Sequence, residues 1–294
     1  MVERSPWFDA ISHLLLVLGV VAMCLPLYYA IIAATHSLED VLLIPMPLTP
    51  GTELFNNIQT ALAKPAFGRQ LFNSMVLAVG VTAVKIFVSF IAAFAVTYFR
   101  YRFRTIAFWL IFSTLMLPVE VRIVPTYELA ANVLSPLNWL LGGVLDVKLE
   151  WNILDSYTGL ILPLAASATG TFLFRQLFLT VPDELLEAAK IDGAGPIQFA
   201  RDVLWPISRT NVIALTVILF VFGWNQYLWP MLIITDPNLM TAVVGLSKTL
   251  PGVADAVPHW HVAMASALLI SIPPVTVVLV LQRWFVKGLV DAEK

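Results

Sequence analysis

Six long apolar runs, set apart by polar connections, limit what this chain can become. The first, His13 to Ala34, carries about 20 apolar residues, the length a helix needs to cross a bilayer. A secretory signal peptide is the rival reading of that stretch, but it would have a shorter apolar region and a more basic leader. Here Glu3 and Asp9 offset Arg4, and the segment reads as a retained helix. The other runs are Ser74 to Tyr98, Thr105 to about Pro125, Tyr157 to Phe178, Thr210 to Thr235 and His261 to Val286. In hydrocarbon each backbone N–H and C=O must be paired within its own segment, so helices are expected. The expectation is an all-α, polytopic membrane protein with six transmembrane helices, built as one domain over residues 1–294.

Composition agrees. A chain that is 59% hydrophobic and 12% charged, with a mean hydropathy of +0.85, is too apolar for an ordinary soluble domain. A net charge of −2 gives no sign of a nucleic-acid partner, and none is expected. One cysteine, Cys24, excludes an internal disulfide framework and a thiolate metal cluster; inside its apolar run it is expected simply to pack.

Orientation follows from the basic residues. One side of the membrane holds Arg4; Arg100, Arg102 and Arg104; Arg175, Lys190, Arg201 and Arg209; and Arg283, Lys287 and Lys294. The other side holds Lys64, Arg69, Arg122, Lys148 and Lys248. Both termini and the 182–206 connection are therefore expected in the cytoplasm. Residues 127–156 form an extended loop on the opposite side.

The 182–206 connection is polar and reads as helix, break, helix. Pro182 suits the start of a helix, and Asp183 and Glu184 sit at the positive end of its dipole. Leu185, Ala188, Ala189 and Asp192 follow an i, i+3, i+4 rule and share one face. Gly193 is a stop, because it accepts a left-handed backbone, and Pro196 can open a second short helix toward Trp205 and Pro206. The small residues Ala188, Ala189, Gly193 and Ala194 leave a slim helix able to enter a partner's groove, with Glu187 and Asp192 as polar handles. An interfacial loop that uses alanine as a good helix former is the alternative.

Polar groups inside the runs mark either a solute path or helix-to-helix fastening. Lys85 is 13 residues from Tyr98, and Glu120 is 15 from Thr105. Both positions are about 20 Å deep if each run is one straight helix. A structural Lys85–Glu120 pair, with Arg122 in the outer interface, is the first expectation; the alternative is that Lys85 or Arg122 offers positive charge to an anionic solute. Asn225 and Gln226 in GWNQYLWP should face the bundle or a cavity, as solute contacts or as interhelical hydrogen bonds.

No catalytic engine is visible. The sequence has no G-x-x-x-x-G-K-[ST], H-E-x-x-H or G-x-S-x-G motif, so neither ATP hydrolysis nor a hydrolase or protease centre is expected within it. His259 and His261 flank Trp260 without a nearby acid or thiol, so no metal site is expected there.

The frame of EAA, three residues, Gly193, nine residues, Val203 and then Trp205-Pro206 resembles the coupling loop of importer-type ABC permeases, with Val203 and Trp205 in place of isoleucine and leucine. TLMLPVEVRIVPT, ATGTFLFRQLF, GWNQYLWP and the tail QRWFVKGLVDAEK narrow this further. They resemble carbohydrate-type inner-membrane permeases related to the maltose system, and among those the sn-glycerol-3-phosphate importers. The stretch 135–151 departs from the pattern and reads as an insertion. The resemblance implies a type I ABC importer transmembrane domain in a bacterial inner membrane, paired with a homologous permease subunit. It further implies a periplasmic solute-binding protein and two ATPase subunits that bind ATP and magnesium, so this subunit is expected to need no cofactor of its own. It assigns Glu187, Ala188, Ala189, Asp192, Gly193 and Ala194 to coupling. The rival functions are a neutral-sugar permease of the same type, an ion-coupled secondary transporter and a membrane enzyme. The second should show repeats and embedded carboxylates.

Overall fold

Apolar length dictates helix, and proline, glycine and serine decide where each helix breaks. The computed structural model describes residues 6–141, 149–249 and 257–291; for Pro6, Val119, Glu120, Leu141 and residues 284–291 only the backbone is described. Among the described residues there is no β-strand.

Among the described residues three helices are long and apolar enough to span: α1 (Pro6–Thr35) and, further along, Phe67–Tyr98 and Trp260–Asp291. The other runs are broken, which corrects the expectation of straight spans. Arg104–Met116 and Val121–Ala131 meet at 110° around Leu117-Pro118. Pro118 has no N–H to continue the first helix and serves as the N-cap of the second. The depth expected for Glu120 assumed a straight run and does not survive this bend. Tyr157–Leu164 and Ala168–Thr180 meet at 50°, and the Ser167 hydroxyl accepts the Gly170 N–H at 3.1 Å to start the second piece. The Thr210–Thr235 run is interrupted at 225–227, between helices Arg209–Trp224 and Leu228–Ile233.

The chain divides into two compact units, Met1–Gly68 with Gly245–Ile272, and Arg69–Val244 with Pro273–Lys294. In the first, α1 is almost wholly exposed, and Cys24, expected to pack, is exposed with it. At the far end of α1, Asn57 on α2 (Leu54–Leu62) donates to the Ala34 and His36 carbonyls at 2.9 Å each. The Thr35 hydroxyl accepts the Gly51 N–H at 2.8 Å. These bonds pin a loop whose sequence shows no regular period.

The second unit is built around α3 (Phe67–Tyr98), whose Leu77, Ala78, Val81 and Ala93 are fully buried. Lipid tails are as apolar as leucine, so close packing of small residues, rather than exclusion of water, must hold such helices together. Two glycines provide it. A Cβ at Gly223 would stand 2.9 Å from the Ala78 Cα, and one at Gly170 would stand 2.5 Å from the Ser89 hydroxyl oxygen.

Two cores flank this post. One gathers Phe90, Phe174, Phe178, Phe199, Leu204 and Leu215; the other gathers Leu77, Val81, Ile153, Leu160, Trp229 and Ile233. Phe90 meets Phe174, Phe178 and Trp205 edge-on at 5.5, 5.3 and 5.4 Å between centroids. Each such pair contributes about 0.5–1.5 kcal/mol beyond its buried area.

The connection before Tyr157 is tied down by polar bonds. Val133 N–H donates to Trp151 O and Ile153 N–H to Ala130 O, at 2.9 and 3.0 Å. The expected insertion 135–151 opens as a helix, Ser135–Leu141, and the Asn138 side chain clasps both backbone groups of Leu149. Residues 142–148 of that insertion lie outside the described residues.

Candidate functional site

Two features carry the polar residues singled out by sequence, and both lie in the second unit. Toward the basic end of the bundle, α4 (Arg104–Ser113), α5 (Val119–Ala131), α6 (Tyr157–Ile161) and α7 (Ala168–Thr180) lead into α8 (Asp183–Ile191). In α8, Asp183 and Glu184 occupy the first turn and Lys190 the last, each matched to the helix dipole. Gly193 has φ of +76°; its N–H donates to Lys190 O at 3.1 Å, and Ala194 N–H donates to Ala189 O at 2.8 Å. This is a Schellman closure, and the expected stop at Gly193 is where the helix ends.

Leu186 and Ala189, three apart, pack against the aromatic core, and with Ala194 they edge a cavity of ≈ 350 Å³ shared with Tyr98, Arg100 and Phe199. Glu187, Ala188, Asp192 and Gly193 are exposed. The expected common face is therefore divided: Leu185, Ala188 and Asp192 look outward, and Ala189 turns toward the bundle, because the helix is seated by the Leu186–Ala189 stripe. Pro196 opens α9 (Pro196–Phe199), which continues through a π-turn at Ala200–Leu204 to Trp205–Ile207. Phe199 and Leu204 are 3% and 0% exposed, so the knuckle is keyed into the core. Its outer surface presents Ile191 and Ile197, 86% and 83% exposed. Sequence reasoning missed these two; the signal was an isoleucine out of phase with the Leu186–Ala189 stripe.

The second feature is a pair of cavities, ≈ 110 and ≈ 360 Å³, that share Lys85, Arg122, Ala166 and Phe222. Lys85 is 8% exposed, with its ammonium 4.1 Å over the Phe222 ring, a cation–π seat. The smaller cavity adds Thr126 and Gln226, whose amide donates to Phe222 O at 3.2 Å. The larger adds Pro118 and Ala168-Thr169, the starts of α5 and α7. A helix start leaves its first N–H groups without partners inside the helix and carries a partial positive charge. The two broken spans thus bring two helix N-termini to one cavity with two cationic side chains. Among the described residues no carboxylate stands within ion-pair distance of either cation. The side chain of Glu120, the expected partner of Lys85, lies outside the described residues. Asn225 is not part of this group: it caps α10 (Arg209–Trp224) and is exposed, so of the neighbouring polar pair only Gln226 reaches the cavity.

Chemically, such an arrangement suits an anion: cations, helix N-termini and an apolar ring, at the breaks of discontinuous helices. Comparison with known proteins agrees with a transport role. Two curated relatives are named sn-glycerol-3-phosphate transport system permease protein UgpE. The one from Escherichia coli O1:K1 / APEC is 49% identical and the one from Rhizobium meliloti (strain 1021) is 46% identical, each over 100% of both chains. Among solved structures, a bacterial ABC transporter involved in the import of the acidic polysaccharide alginate matches with a TM-score of 0.78 at 20% identity. It covers 97% of this chain and 99% of its own, and supports the fold. The description "Binding-protein-dependent transport system inner membrane component" matches residues 85–291, and this chain belongs to that family of ABC importer permeases.

Proposed function

We propose that this subunit translocates sn-glycerol-3-phosphate and related glycerophosphodiesters as one half of a permease heterodimer. A periplasmic binding protein would deliver the solute, and two separate ATPase subunits, which hold ATP and magnesium, would drive the cycle. The observation that carries this reading is that Lys85 and Arg122 line the same cavities beside the starts of α5 and α7. A phosphate ester there meets the buried Lys85 ammonium, the exposed Arg122 guanidinium and two helix starts, whereas a neutral sugar would leave the desolvated Lys85 charge without a counter-charge. The full-length coverage and 46–49% identity of relatives named for glycerol-3-phosphate support the same solute.

The bias in basic residues supports a cytoplasmic position for both termini and the 182–206 knuckle. ATP-driven closure of the ATPases would push on Ile191 and Ile197, and the rigid aromatic contacts of Phe199, Trp205 and Phe90 would carry that push into α3 and α7. Alternating access then follows as rocking of the bundle around the cavity.

The test is co-reconstitution of this subunit with its partners in liposomes. Uptake of sn-glycerol-3-phosphate that needs ATP and the binding protein, with no uptake of neutral maltooligosaccharide, is the expected result. Equal transport of the neutral solute, or uptake without nucleotide, would overturn the reading.

A further inference from the structure

Below the solute cavities, the seam between α4 and α7 opens again at the end of the bundle that carries Arg100, Arg102 and Arg104. This cavity, ≈ 340 Å³, has no part in the transport path proposed above. Arg104 and Arg175 both line it, and among the described residues neither has a carboxylate within ion-pair distance. The Arg175 guanidinium sits 4.1 Å over the Phe108 ring, half-buried. A guanidinium held on a ring keeps its fork of N–H donors for a planar or tetrahedral oxyanion. Thr97 of α3 also lines the cavity, with its hydroxyl oxygen turned away from solvent.

Depth and surroundings identify the ligand class. Arg104 begins α4, and Arg175 lies seven residues before Pro182, where the chain leaves the bundle. That places it about 10 Å along the helix axis, at the level of lipid headgroups. Trp109 lines the cavity, and on the same helix Ile106, Trp109 and Leu110 are 55%, 59% and 63% exposed. Apolar surface therefore runs from the cationic cavity toward the bilayer centre. A soluble phosphate ester has nothing to lay on that surface, but an acylated one does.

We propose that this cavity holds the phosphodiester headgroup of an anionic phospholipid of the adjacent leaflet. The phosphate is clamped by Arg104 and Arg175, and the acyl chains run along Trp109 and Leu110. The site is separate from the solute cavities: Phe112 and Phe172, with ring centroids 5.6 Å apart, stand between them along the seam. A basic pocket between helices at this level is the usual means of recognising such headgroups.

The experiment is native mass spectrometry of the permease, extracted with the subunits that travel with it, after exchange into equimolar phosphatidylglycerol and phosphatidylcholine. Retention of phosphatidylglycerol over phosphatidylcholine by about tenfold is expected, with the preference lost in the Arg104→Gln/Arg175→Gln double variant. Arg175→Lys, which keeps the charge but loses the fork, covers the case of a double variant that does not assemble; it should retain only part of the preference. Arg100→Gln/Arg102→Gln, outside the cavity, should keep it. Equal loss in that control would assign the effect to general surface charge and overturn the proposal, as would a preference unchanged in both cavity variants. Displacement of the lipid by millimolar sn-glycerol-3-phosphate would assign the cavity to the solute instead and overturn the lipid source.

Discussion

Lys85 and Arg122 stand on helices that are separate in sequence, yet they line the same two cavities, and the Lys85 ammonium rests 4.1 Å from the centroid of Phe222. Arg122 reaches this place because α5 turns away at Pro118; a straight span would have carried it outward.

The break at Gly193 should be intolerant of side chains for a backbone reason. At φ of +76°, any L-residue costs about 1–2 kcal/mol, although nothing lies within 4 Å of an added Cβ. Gly193→Trp is therefore expected to leave the protein in the membrane but abolish ATP-dependent uptake. Quantitative immunoblotting beside an uptake assay separates the two; normal uptake would remove Gly193 from the coupling element.

Ile191 and Ile197 make no demand on the fold, being 86% and 83% exposed. Ile191→Asp and Ile197→Asp should leave the thermal midpoint of the subunit unchanged and reduce co-purification of the ATPase subunits by about tenfold each, the loss expected for an apolar interface anchor. A lowered midpoint with intact co-purification would mean that these side chains serve the fold instead.

Gly223 brings α10 against the backbone of α3. A leucine there would have its Cβ 2.9 Å from the Ala78 Cα, with backbone rather than a pliable side chain in the way. Gly223→Leu is expected to destabilise by about 1–3 kcal/mol or more, the usual cost of overpacking. Thermal unfolding in detergent reads this directly, and Gly68→Leu, with open space around it, is the matched control.

Asp155 fastens the connection before α6 to the turn after α11 (Leu228–Ile233). Its carboxylate accepts the Thr235 hydroxyl and the Thr235 and Asp236 N–H groups, and these bonds hold it below the usual carboxylate range. A depressed folded-state value means that the latch is complete above the ordinary carboxylate pKa and loosens as pH falls through the lowered one. Proteolysis near Trp151 should be slow at neutral pH and in mild acid, and should quicken only well below the ordinary range. Asp155→Ala should be cut quickly at every pH. A wild-type cutting rate independent of pH would contradict this.

Much of this architecture was legible because lipid leaves helices as the economical solution for long apolar runs, and because Gly193 and Pro196 punctuate the knuckle by local backbone rules. The breaks were harder to see. Pro118 sits inside a run that stays apolar on both sides of it as far as Val119, and Ser167 acts as an N-cap only through its extended backbone, which the residue types around it do not announce. Hydropathy is blind to direction, so the 110° turn and the meeting of Lys85 with Arg122 required the fold. For the same reason Asn225 and Gln226, neighbours of equal polarity, could not be told apart until the end of α10 assigned one to capping and the other to the cavity.

The most direct test is ATP-driven uptake of sn-glycerol-3-phosphate by proteoliposomes carrying Lys85→Gln or Arg122→Gln. Each substitution removes a charge-assisted contact of about 1.5–3 kcal/mol, so uptake efficiency should fall roughly 10- to 100-fold. Nucleotide hydrolysis without solute should continue in both. Uptake undiminished in both variants would contradict the assignment of this cavity to the anionic solute.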